Sequence, residues 1–74
     1  MSHQFAKTLI IIRVIEMISK KYRISIEEAR DRLYNSRLID LIDDDETGLY
    51  GEPPLYVFSI YEYEVSKQSK KDFQ

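Results

Sequence analysis

Every glycine and every proline of the chain falls within one short stretch, at Gly48, Gly51, Pro53 and Pro54. These are the residues that punctuate local structure. A chain punctuated once cannot be a succession of strands and tight turns, so it must be built from long helices with few connections. Nothing else in the sequence reads as a linker or a repeat. At 74 residues there is room for one core and no second domain. The expectation is an all-α fold, a compact bundle of three to four helices. It forms a single domain over 1–74 with a polar, Lys-rich tail at 66–74 that frays.

Composition narrows the function classes. With 43% hydrophobic and 32% charged residues, the chain is too apolar to be disordered and too charged to live in a bilayer. Cysteine is absent, so no disulfide framework and no thiolate metal site can form, and a reducing compartment is favoured. Met1-Ser2-His3-Gln4 lacks the features of a secretory leader. The apolar run Leu9–Ile12 is cut by Arg13, far short of the roughly 20 residues that span a membrane. A cytoplasmic location is expected. The net charge of −2 hides an asymmetry: residues 1–37 carry net +4 and residues 38–74 net −6. The halves can attract each other within one fold, or between chains head to tail.

Periodicity places the helices. From Gln4 to Tyr22, residues Ile11, Val14, Ile15, Ile18 and Tyr22 form one helical stripe, widened by Ala6, Ile10 and Met17. A second stripe, Phe5, Leu9 and Ile12, lies on the otherwise polar side. Two apolar sides mark a central helix or one that also meets a partner. Ser25-Ile26-Glu27-Glu28 is a capping box opening a second helix to about Asn35. That helix has Ile26, Ala29 and Leu33 inward, Glu28 and Arg32 paired outside, and Ile24 as a hydrophobic staple. Asn35 or Ser36 caps a third, short helix through about Asp44, with Leu38, Leu41 and Ile42 inward. The carboxylates of Asp43, Asp44, Asp45 and Glu46 crowd its C-terminal end and oppose the helix dipole, so something must compensate them. Leu55 to Val65 is rich in strand formers, but no second strand is visible to pair with it. It reads as a fourth helix entered through Pro54, with Tyr56, Ile60 and Tyr63 on one stripe and Leu55, Phe58 and Val65 on another.

No catalytic constellation emerges. His3 is the one histidine and has no ligand or carboxylate at useful spacing, and no nucleophile turn or phosphate loop is present. Asp43, Asp45, Thr47 and Gly48 match the opening of a calcium loop, but its closing position is Pro54 rather than a bidentate Glu. No metal, cofactor or small-molecule substrate is expected. The chemistry that remains is binding. Phe5, Leu9, Ile12, Leu49, Tyr50 and Tyr56 are the candidate protein-contact residues, toward a protein partner or a second copy. The alternative is DNA recognition through the basic half by Arg23, Arg30, Arg32 and Arg37. There a third-helix reader would carry Asp40, Asp43 and Asp44, which repel phosphate.

Ile15-Glu16-Met17-Ile18, Ile24 to Ala29, Leu33-Tyr34-Asn35-Ser36 and above all Glu46-Thr47-Gly48-Leu49-Tyr50 before Pro54-Leu55-Tyr56-Val57 carry a resemblance. Over Ile12 to about Glu64 the chain resembles a group of small bacterial helical proteins often encoded beside candidate toxin or partner genes. The resemblance implies an all-helical fold and an antitoxin-like or accessory binding role, with no catalytic residues to carry over. The group has a capping residue just before the proline, where this chain has Pro53.

Overall fold

The computed structural model describes residues 3–72, with side chains through Lys67. Four α-helices follow one another: α1 Gln4–Tyr22, α2 Ile26–Tyr34, α3 Arg37–Asp43 and α4 Pro54–Asp72. Two single 3₁₀ turns, Asp45–Thr47 and Leu49–Gly51, fill the stretch that holds both glycines. Among the described residues there is no strand. The strand formers of Leu55 to Val65 are helical, and α4 continues through Asp72 into the segment expected to fray. Residues 73–74 lie outside the described part.

α1 is the central helix and packs on α2, α3 and α4. Its inward stripe is the one the 3.6-residue period selects: Ile10, Val14, Ile15 and Ile18 are buried, while Ile11, Met17 and Tyr22 pack on their flanks. The other walls come from Ala29 and Leu33 of α2, Leu38 and Ile42 of α3, Leu49, and Val57, Phe58 and Tyr61 of α4. Two inward assignments are corrected. Ile26 is exposed because it occupies the first position of α2, at the rim of the core. Leu41 is exposed beside the α4 groove. α4 buries Val57, Phe58 and Tyr61, of which only Phe58 lies on a stripe read from its sequence, while Ile60 and Val65 of those stripes pack at the margin. The first two turns of that helix, Leu55 to Tyr61, are apolar almost all round, so periodicity could not choose its inner face.

The helix ends explain the short connections. Arg23 closes α1 in the left-handed region, with φ 56°. Its N–H and that of Ile24 both donate to the Ser19 carbonyl, and Ser19 Oγ donates to the Ile24 carbonyl at 2.6 Å. A side chain at this φ costs free energy that glycine avoids. Arg23→Gly is therefore expected to stabilise the protein by about 0.5–1 kcal/mol, read as a higher urea midpoint at unchanged slope. A lower midpoint would refute the account of this turn.

The capping box is half made. Ser25 Oγ accepts the Glu28 N–H at 3.0 Å, but Glu28 Oε2 reaches forward to Arg32, also at 3.0 Å. One carboxylate serves the ion pair in place of the return arm of the box. Neither Asn35 nor Ser36 caps α3 with its side chain. Asn35 Nδ2 donates to the Asp31 carbonyl and Ser36 Oγ to the Leu33 carbonyl, so both close α2 instead. The first N–H of α3, on Arg37, donates to Glu64 Oε2 of α4 at 2.9 Å.

Candidate functional site

The acidic end of α3 is neutralised by a residue from the first turn of α1. Lys7 is only 8% exposed. Its ammonium donates to the Asp43 carbonyl at 2.7 Å and lies 2.6 Å from Asp45 Oδ1 and 3.8 Å from Asp43 Oδ1. It also stands 5.9 Å from the centre of the Tyr50 ring, on which His3 stacks at 4.5 Å. The hydrogen bond to Asp45, against the opposing effect of burial, raises the Lys7 pKa above its ordinary 10.5. The same bond holds the Asp45 carboxyl below its ordinary 3.8. The opening of the calcium-like loop thus contains a cation already, and it is a lysine of the same chain.

The rest of that loop satisfies its own backbone. Thr47 Oγ1 lies 2.6 Å from the Leu41 carbonyl at the end of α3 and 2.9 Å from the Asp44 carbonyl, which also accepts the Thr47 N–H at 3.1 Å. Asp44 Oδ1 accepts the Glu46 N–H at 3.0 Å. Gly48, at φ 66°, turns the chain between the two 3₁₀ turns. Lys7 was missed from the sequence, although a signal was there. It precedes Ile10 by three residues and Val14 by seven, which puts a charge on the inward stripe.

Of the six candidate contact residues, one belongs to the interior and one is half-buried. Leu49 is 7% exposed and joins the core, because the 3₁₀ turn at Leu49–Gly51 folds it under α1 and α3. It is not a contact surface. Tyr50 is half-buried beside it, held between His3 and Lys7. The other four are exposed. On α1, Phe5 is 82%, Leu9 44% and Ile12 46% exposed. At about 100° per residue these three lie roughly 140–180° round the helix from Val14, on the side opposite the core. Tyr56 is exposed on the first turn of α4.

The basic residues do not converge on α3. Arg23 sits in the turn after α1 and Arg30 on the outer side of α2. Arg32 pairs with Glu28 and lies over the Tyr22 ring at 5.9 Å. Arg37 opens α3, beside the Glu64 carboxylate. α3 itself is seven residues long and presents exposed Asp40 and Asp43, with Asp44 just past its end. Two further cations bind within the chain: Lys7 to Asp43 and Asp45, and Lys21 to Glu62 at 3.0 Å. Each joins the positive half to the negative half, so part of the charge asymmetry is spent inside the fold.

No family model, curated protein or solved structure matches the chain. No helix of the described residues is long and apolar enough to cross a membrane.

Proposed function

We propose that the protein is a small non-enzymatic interaction module, an antitoxin-like or accessory partner that self-associates through the outer stripe of α1. The observation that carries this reading is the exposure of Phe5, Leu9 and Ile12 on the helix whose other side already builds the core. Single exposed apolar residues are ordinary. Three in a row at i, i+4 and i+7 form a continuous ridge, and such patches mark binding surfaces. The antitoxin-like part rests on the resemblance carried by Glu46 to Tyr50 and the segments around it. A cytoplasmic setting belongs to the same proposal and rests on the cysteine-free composition.

Sedimentation velocity across a concentration series tests the reading. The native chain is expected to associate. Leu9→Asp combined with Ile12→Asp is expected to weaken association at least about thirtyfold, the weight of one strong contact residue. The helical circular dichroism should stay intact, since both positions lie outside the core. Equal association of the two proteins, both folded, would refute the reading.

A further inference from the structure

The second exposed apolar surface is an open groove of about 640 Å³ between α3 and α4. Leu41 forms one wall, Ile60 and Tyr63 the other, and Arg37, Asp40 and Lys67 flank them. Tyr56 continues the α4 wall one turn earlier, on the same side of the helix. Along α4 the wall thus reads Tyr56, Ile60 and Tyr63 at i, i+4 and i+7, then Glu64 and Lys67 at i+8 and i+11.

The outer side of α1 has the same spacing. Phe5, Leu9 and Ile12 occupy i, i+4 and i+7, and Arg13 and Glu16 occupy i+8 and i+11. The two charged positions carry opposite signs on the two helices. Laid side by side in parallel, α1 and α4 bring together three apolar pairs, then Arg13 with Glu64 and Glu16 with Lys67. α1 does not complement itself this way. A parallel pair of α1 helices sets Arg13 against Arg13 and Glu16 against Glu16. An antiparallel pair centred on Leu9 sets Arg13 against Phe5.

Resting on the self-association reading above, we infer that the α1 ridge of one chain seats in the α3–α4 groove of a second copy. The contact is heterologous, ridge to groove. It closes into a reciprocal dimer if the second ridge reaches the first groove and otherwise extends along a series of chains. The ion pairs set register and orientation, and the apolar residues supply the affinity.

A mixing experiment tests this. The ridge variant is Leu9→Asp with Ile12→Asp, and the groove variant is Leu41→Asp with Tyr63→Asp, all at exposed positions. Each is expected to be monomeric alone. Mixed, they should form a one-to-one complex, because one keeps its groove and the other its ridge. If the groove variant associates like the native chain while the ridge variant does not, the groove is overturned and self-association through the ridge stands. A native chain that is monomeric at every concentration overturns both. If the groove variant fails to fold, charge reversal takes its place. Glu16→Lys and Lys67→Glu should each weaken association about fivefold, and the double variant should restore it to within about twofold. Absence of restoration overturns the register.

Discussion

Leu33→Ala is expected to lower the stability of the protein by about 3 kcal/mol, in the middle of the range for deleting a buried leucine side chain. For a domain of this size that corresponds to a drop in melting temperature of roughly 12–24 °C. The reason is local. α2 is nine residues long and buries only Ala29 and Leu33. Leu33 is fully enclosed. Too short to be stable alone, α2 holds to the bundle chiefly by this one side chain. Small domains keep only a few kcal/mol in reserve, so a large unfolded fraction at growth temperature is expected. Ile26→Ala, on the same helix but exposed, should stay within about 0.5 kcal/mol. Scanning calorimetry of the two variants checks the contrast, and similar effects would contradict the packing described here.

The second large effect is expected at Lys7→Met. The apolar part of the side chain is kept, while the carbonyl of Asp43 and the carboxylate of Asp45 lose their shared cation. The acidic end of α3 then faces its own dipole uncompensated. The 3₁₀ segment from Asp45 to Gly51 should loosen from α1, seen as faster amide exchange there than in α2. The variant also carries a pH signature. Asp45 has a folded pKa below its ordinary 3.8, so its contribution is present above that value and is lost as the pH falls through the folded value. Lys7 is raised above 10.5, so its contribution is complete below that value and is lost as the pH rises through the folded one. Lys7→Met should remove the part of the acid-side loss that this pair causes. A variant with the same acid profile as the native chain would contradict the contact. Lys21, raised by the hydrogen bond it donates to Glu62, and Tyr61, raised by burial, lose their contributions at alkaline pH as well. The alkaline limb is therefore shared, and the acid limb is the sharper test of Lys7.

The helices themselves were legible in the sequence. Confinement of Gly48, Gly51, Pro53 and Pro54 to one stretch left little but helix for the remainder, and the period of Val14, Ile15 and Ile18 chose the inner side of α1. The start of α2 was legible because a cap is a local signal, with Ser25 and Glu28 three residues apart. Two contacts that fix the tertiary arrangement were not. Lys7 reaches Asp43 across 36 positions, and Glu64 reaches the Arg37 N–H across 27. Both satisfy needs that sequence alone could state, a crowded C-terminal end and an open N-terminal end. The partner in each case is set by how the helices pack. The inner face of α4 was hidden for another reason. With Leu55, Tyr56, Val57, Phe58, Ile60, Tyr61 and Tyr63 in one run, apolar residues cover most of its circumference, so its own period leaves open which of them enter the core.

The same reasoning divides the candidate site. The Phe5, Leu9 and Ile12 ridge could be read from sequence because the opposite side of α1 already held enough apolar residues for a small core. Leu49 could not be told from a surface residue, since a loop carries no period. The groove is not legible in the sequence, because the period of α3 places Leu41 with Leu38 and Ile42, and Tyr63 lies on one of two equivalent stripes of α4.

The central claim is that α1 has two working sides, one for the core and one for binding. A dilution series of amide nitrogen–proton NMR spectra reads both sides at once. The amides of Phe5, Leu9 and Ile12 should shift with concentration together with those of Tyr56, Ile60 and Tyr63, while Val14, Ile18 and Leu33 stay fixed. Spectra independent of concentration, or shifts confined to residues away from the α1 ridge, would contradict it.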